Sequence, residues 1–95
     1  MKKPDLKKRC FAPGCSTLIP TKLLMCLPHW NTVPAAVQRE VYRTLREWTA
    51  GGSSRSYVLA TYRAQLAAAE ADNLSQGLIE AIRQVIAGLE AKEAQ

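Results

Sequence analysis

The feature that most constrains this chain is a cluster of sulfur and nitrogen ligands near its start. The three cysteines and the single histidine of the sequence follow one another closely, as Cys10, Cys15, Cys26 and His29. Zinc prefers four tetrahedral ligands, and three thiolates with one imidazole form a common structural set. We therefore predict that these four residues bind one structural zinc ion, with a closed coordination shell that leaves no position for a catalytic water.

Other interpretations of the four residues are less consistent with their spacing. A disulfide between two of the cysteines would leave an odd thiol and does not suit a reducing compartment. Free cysteines in a core would not need to cluster with the only histidine. A catalytic cysteine–histidine pair would need a third group to orient the imidazole, and no acid or amide is obviously placed for that role.

The segments between the ligands predict a compact zinc loop over residues 10–30. Pro13 and Gly14 suit a tight turn between the first two cysteines. Pro20 makes an irregular hairpin more consistent than a helix over residues 16–25. We expect the apolar residues of this segment to cover the core, and Trp30 to be buried beside the metal.

Three amphipathic patterns follow the zinc loop and predict helices over about 34–49, 55–71 and 75–92. Thr32 is the candidate N-cap of the first helix, and Gly51 and Gly52 end it. The third helix has a wide apolar face that either packs on the other two or forms a homodimer contact. The predicted fold is mostly α: a zinc-bound N-terminal loop packed on a small bundle of about three helices, in a single domain over residues 10–95.

Positive charge is concentrated in the first two thirds of the chain. The formal net charge is +5, and the acidic residues gather after residue 64. Residues 1–9 predict a flexible basic arm, and the first helix carries an arginine stripe at helical spacing. Such residues suit phosphate oxygens. The candidate nucleic-acid contacts are Lys2, Lys3, Lys7, Lys8, Arg9, Arg39, Arg43 and Arg46.

Several function classes are disfavoured by what the sequence lacks. No stretch approaches the roughly 20 apolar residues of a membrane span, and the basic start is not followed by the apolar run of a secretory signal. We therefore expect a cytoplasmic protein with no membrane partner. We also expect no enzymatic activity, because the only histidine is assigned to zinc and no paired active-site carboxylates are evident.

Four motifs follow one another along residues 10–70: the cysteine pair, the segment Met25-Cys-Leu-Pro-His-Trp30, the Val33-Pro34 helix start and a later Ser54-Arg-Ser-Tyr57 helix start. In these motifs the chain resembles a group of small, largely uncharacterised proteins encoded by bacteriophages and prophages. This resemblance implies a phage or prophage origin, a bacterial host cytoplasm as the location, and a zinc-finger-like site. It implies no particular activity.

Two functions remain open at the level of sequence. The basic arm and the arginine stripe favour a nucleic-acid-binding accessory or regulatory module. The wide apolar face of the third helix, the acidic C-terminal segment and the phage-like context favour instead an inhibitor or adaptor that binds a host enzyme or defence complex. Salt dependence of nucleic-acid binding and capture of a host protein would distinguish the two.

Overall fold

A computed structural model describes residues 7–93 as a short antiparallel hairpin followed by four helices. The elements, in chain order, are β1 (Lys7–Arg9), β2 (Leu18–Pro20), α1 (Leu27–Trp30), α2 (Ala35–Thr49), α3 (Arg55–Ala71) and α4 (Gln76–Glu93). β1 pairs with β2 in the register Lys7 to Pro20, Lys8 to Ile19 and Arg9 to Leu18. The prediction of a mostly helical protein with an N-terminal cysteine and histidine cluster is confirmed.

Local chemistry fixes where α2 begins and ends. The N-cap position is Pro34 and not Thr32, whose hydroxyl donates a 2.6 Å hydrogen bond to the carbonyl of His29. At the other end Gly51 has a φ of 103°, a left-handed conformation that glycine adopts without steric cost. The amide of Gly52 then donates to the carbonyl of Glu47 at 2.9 Å, which closes a Schellman motif.

The three long helices form a layer with α3 in the middle. Within the described residues, α3 packs against α2 on one side and α4 on the other, and no contact joins α2 to α4. The molecule is flat, with extents of 46 × 34 × 20 Å along its principal axes. The hairpin and the loop over residues 10–30 lie on the side of α3 that faces α2.

This arrangement separates two apolar cores. The first core joins the loop, α2 and the alanines of α3, and its most deeply buried members are Ala60, Ala64 and Ala68, each with 0% exposure. The second core joins the opposite face of α3 to α4, and it is formed by Leu59, Ala69, Ile79, Ile82 and Ile86. α3 is therefore buried on two faces, which its alanine-rich sequence permits because small side chains let neighbouring elements approach closely.

Some local predictions differ from the structure. The predicted flexible arm over residues 1–9 does not hold for Lys7–Arg9, which form β1; residues 1–6, with Lys2 and Lys3, lie outside the described part of the chain. The irregular hairpin predicted within residues 16–25 is replaced by a pairing of β2 with β1, and Cys10 and Cys15 lie in the connection between these two strands. Leu18 and Leu23 are exposed, so they do not cover the core.

The apolar faces of the helices are only partly buried. On α4 the three isoleucines are buried, but Leu78 and Val85 remain exposed. Trp30 is half-buried and packs edge-on against Tyr42, with ring centroids 5.7 Å apart. No helix within residues 7–93 is both long and apolar enough to cross a membrane.

Candidate metal centre and cationic surface

Two local turns bring the four predicted ligands together. Cys10 follows β1 directly, and Gly14 turns the chain with a φ of 77° so that Cys15 returns toward it. Cys26 is the N-cap of α1, and His29 lies in the first turn of that helix. The amide of Cys26 donates to the sulfur of Cys10 at 3.3 Å, which holds the two halves of the site in register.

The distances among the four ligand atoms fit one metal ion. All of them lie within 4.8 Å of one another. The Nδ1 atom of His29 is 3.2 Å from the Cys26 sulfur and 3.7 Å from the Cys10 sulfur. A tetrahedral zinc with bonds of about 2.3 Å to sulfur would place its ligand atoms about 3.5–3.8 Å apart. The four residues predicted from the sequence therefore converge on a site that could hold a metal ion.

The surroundings of the three thiols differ. Burial raises the pKa of Cys10. The hydroxyl of Thr17, 3.3 Å from the Cys15 sulfur, stabilises the Cys15 thiolate and lowers its pKa to about 6. Cys10 and Cys26 are buried and Cys15 is half-buried, so the site lies at the edge of the first core and remains reachable from solvent.

A carboxylate from a distant part of the chain completes the surroundings of His29. Its Nε2 atom lies 2.7 Å from an oxygen of Asp72, the residue at the C-terminal end of α3. Burial lowers the pKa of His29, but the hydrogen bonds to Asp72 and Cys26 outweigh it and raise the pKa to about 9. With Nε2 committed to Asp72, the other ring nitrogen faces the sulfurs, which is the orientation that a metal ligand requires.

Asp72 is a site residue that the sequence analysis missed. It is separated from His29 by 43 positions, and its own neighbourhood, Asp72-Asn73, indicates only a helix end. The left-handed conformation of Asn73, with a φ of 53°, ends α3 at the point where the Asp72 carboxylate meets the imidazole. No local pattern carries this information, because the contact depends on how α3 packs against α1.

The predicted cationic residues fall into two groups. Lys7, Lys8 and Arg9 are exposed along β1. On α2 the arginine stripe is present on one face, but Arg43 is paired with Glu40 at 2.7 Å and with Glu47 at 2.8 Å. These carboxylates raise the pKa of Arg43 and neutralise it locally. Arg39 and Arg46 are the two arginines of the stripe with no carboxylate partner among the side chains that the structure describes.

Comparison of the chain with protein-family models, with curated proteins and with solved structures gives no match. The function of the chain is therefore inferred from the geometry of the candidate metal site and from the distribution of charged and apolar side chains.

Proposed function

We propose that the chain is a zinc-stabilised module that binds nucleic acid. The metal assignment is supported by the donor set, because three thiolates and one imidazole favour zinc over the oxygen-seeking ions calcium and magnesium. With four protein ligands the ion is structural, and its role is to connect the hairpin to α1. The three cysteines form no disulfide, which suits the reducing conditions of a cytoplasm, and a cytoplasm is the location that we propose for the protein.

The observation that supports nucleic acid is the pairing pattern of the charges. Five of the six carboxylates whose side chains the structure describes pair with an arginine: Glu40, Glu47, Glu70, Glu80 and Glu90. The sixth, Asp72, contacts the imidazole of His29. The cations that no described carboxylate pairs with lie mainly in residues 7–55: Lys7, Lys8, Arg9, Lys22, Arg39, Arg46 and Arg55. The excess positive charge of the molecule is therefore left on its N-terminal half, where it is available to a polyanion.

The proposal is tested by binding of fluorescent oligonucleotides to the zinc-loaded chain, measured by anisotropy over a range of salt concentrations. We expect binding that weakens steeply with salt, because each phosphate contact releases a counterion. Replacement of Arg39 and Arg46 by glutamine should lower the slope of log affinity against log salt by roughly 0.9 for each duplex phosphate that the variant no longer neutralises.

The matched control is Arg83→Gln. Arg83 is an exposed arginine that is already paired with Glu70 and Glu80, so its removal should leave the salt slope unchanged. Absence of binding to single-stranded and duplex oligonucleotides at low salt would refute the proposal. An equal loss of affinity in the control would show that only net charge matters, and would refute the assignment of Arg39 and Arg46.

A further inference from the structure

An apolar groove lies next to the metal site and is not used by the function proposed above. It has a volume of about 130 Å³ and is lined by the loop before α1, by α1, by α2 and by the start of α3. We call it the apolar groove, and its principal lining residues are Leu23, Leu27, Trp30, Tyr42, Leu45 and Tyr57.

Large apolar side chains form the walls of this groove and are exposed to water, which is unfavourable when no partner covers them. Leu27 is 69% exposed, Tyr42 is 51% exposed and Leu23 is 45% exposed. The floor is formed by Met25 and Val41, which are buried members of the first core. Contiguous exposed apolar side chains over a packed floor are typical of an interaction site, whereas scattered exposed leucines are not.

The size of the groove limits what it can receive. Pockets for cofactors and drug-sized ligands begin at roughly 300 Å³, so this groove is too small for them. It is large enough for one or two aliphatic side chains presented by another polypeptide. Recognition of this kind is typical of an amphipathic helix that inserts apolar residues into a hydrophobic groove.

The charges around the groove indicate which charge the polar face of such a helix would carry. Lys22 is part of the lining, and no described carboxylate is. Tyr42 belongs both to the groove and to the adjoining arginine face of α2, where Arg39 and Arg46 are unpaired. The one carboxylate in the lining of that face, Glu40, is bound to Arg43. A complementary partner would therefore carry acidic residues beside its apolar ones.

A second copy of this chain is a weaker fit to the groove. α4 has exposed apolar residues, Leu78 and Val85, but the described carboxylates around them are already paired within the molecule. Glu80 pairs with Arg83, and Glu90 pairs with Arg63. Docking of α4 into the groove would bring no unpaired negative charge from those side chains to the cations around it.

We propose that the apolar groove between α1 and α2 docks an acidic amphipathic helix of a partner protein. The partner's apolar residues enter between Leu27 and Tyr42, and its carboxylates meet Lys22 and the unpaired arginines of α2. The apolar contacts of this site are not needed to hold phosphates, and the site shares only the cations Lys22, Arg39 and Arg46 with the proposed nucleic-acid function.

The experiment uses the full zinc-loaded chain and a labelled helical peptide of about 16 residues, long enough to form a helix on binding. The peptide carries leucines at i, i+4 and i+7 and glutamates on either side of that stripe. A matched peptide has lysine at every glutamate position. Binding of each peptide is measured by fluorescence anisotropy at a fixed salt concentration.

Two variants of the protein locate the site. Leu23→Glu places a negative charge in the groove. This charge repels the acidic peptide and should weaken its binding by at least about tenfold. Its control is Leu18→Glu, the same change at a leucine that is 62% exposed on β2 and outside the groove. Lys22→Glu should weaken binding further than Lys92→Glu, and the zinc content of each variant is checked to show that its fold is intact.

The proposal predicts that the acidic peptide binds, that the lysine peptide does not, and that only the groove variants lose binding. It is overturned if the acidic peptide does not bind, or if Leu23→Glu and Leu18→Glu bind it equally. Binding of a single-stranded oligonucleotide that depends on Leu23 would assign the groove to nucleic acid. Self-association of the chain that depends on Leu23 would assign it to a second copy. Either result would also overturn the proposal.

Discussion

At the scale of single residues, His29 is held through both of its ring nitrogens. Nδ1 faces the sulfurs of Cys10 and Cys26, and Nε2 contacts Asp72 at 2.7 Å. A carboxylate behind a metal-binding imidazole fixes the orientation of the ring and increases its basicity as a ligand. Asp72 would therefore act on a bound metal through His29, without being a ligand itself.

Replacing Asp72 by asparagine should weaken zinc binding by about 10–100-fold, because the neutral amide stabilises the bound imidazole less than a carboxylate does. Competition with a chromogenic zinc chelator measures this affinity directly. Glu70→Gln is the matched control, since Glu70 lies on the same helix and pairs with Arg83 away from the site. Equal affinities for Asp72→Asn and the parent would remove Asp72 from the metal centre.

Replacing Cys26 by serine should abolish stable zinc binding and unfold the N-terminal part of the protein. Structural zinc contributes on the order of 10 kcal/mol in small zinc peptides, which is comparable to the whole stability of a domain, about 5–15 kcal/mol. Native mass spectrometry reports the metal, and circular dichroism reports the melting transition. Ser16→Ala, an exposed change in the same loop, should leave both unchanged. A Cys26→Ser chain that still melts cooperatively at the parent temperature would contradict a structural metal.

At the scale of the elements, α3 is the helix on which the others are assembled. Ala60, Ala64 and Ala68 recur at every fourth position and are fully buried toward α2 and the metal loop. Leu59 and Ala69 face α4. The small side chains of these three alanines allow the loop over residues 10–30 to approach α3 closely. Phe11 therefore lies within reach of α3, and the side chain of Gln65 donates to the Phe11 carbonyl at 3.0 Å.

Enlarging one of these alanines should therefore be costly. Ala64→Leu forces extra volume into a packed core and should lower the free energy of unfolding by about 1–3 kcal/mol. Ala71→Leu makes the same change at an exposed position of the same helix and should have little effect. Denaturant unfolding of the zinc-loaded proteins measures both values. If Ala64→Leu unfolds at the same denaturant concentration as the parent, the close approach of the loop to α3 is not a determinant of stability.

The elements show which parts of the fold are visible in the sequence. Residues 34–49, 55–71 and 75–92 were predictable as helices because their apolar residues repeat at helical spacing over several turns. β1 was not predictable, because Lys7-Lys8-Arg9 shows no alternation of apolar and polar residues. This segment is a strand because it pairs with Leu18–Pro20. The four residues of α1 are too few to show a period.

The same distinction applies to the candidate site. Cys10, Cys15, Cys26 and His29 were identifiable because metal ligands must come from short loops, so their proximity in sequence reports their proximity in space. Asp72 was not, because it reaches the site through the packing of α3. The exposure of Leu23 and Leu27 was likewise unpredictable, since an apolar residue in a loop gives no indication of which face it lies on.

At the scale of the whole molecule, the two cores are separated by α3, and within the described residues no contact joins α4 to α2, α1 or β2. The three cysteines of the candidate metal site belong to the first core. The stability contributed by α4 and the affinity for the metal should therefore vary independently of each other, since mutations at distant sites usually act additively.

The independence of stability and zinc affinity can be tested with two substitutions that each shorten a buried side chain. Ile82→Ala, in the second core, should destabilise the protein by about 2–5 kcal/mol while leaving zinc affinity close to that of the parent. Val41→Ala, in the first core, should lower both stability and zinc affinity. Calorimetric melting and chelator competition give the two quantities. A large fall in zinc affinity for Ile82→Ala would show that the layer behaves as one cooperative core.

The four residues of α1 connect two surfaces that have different chemistry. His29 belongs to the metal site, Leu27 and Trp30 belong to the apolar groove, and the side chain of Gln38 donates to the carbonyl of Trp30 at 2.8 Å. The walls of the groove are thus positioned by the same short helix that carries the candidate metal ligand His29. If zinc binds there as proposed, its withdrawal would release α1 and alter the groove without any change to the groove's own side chains, so that the supply of zinc would govern whether the proposed partner is held.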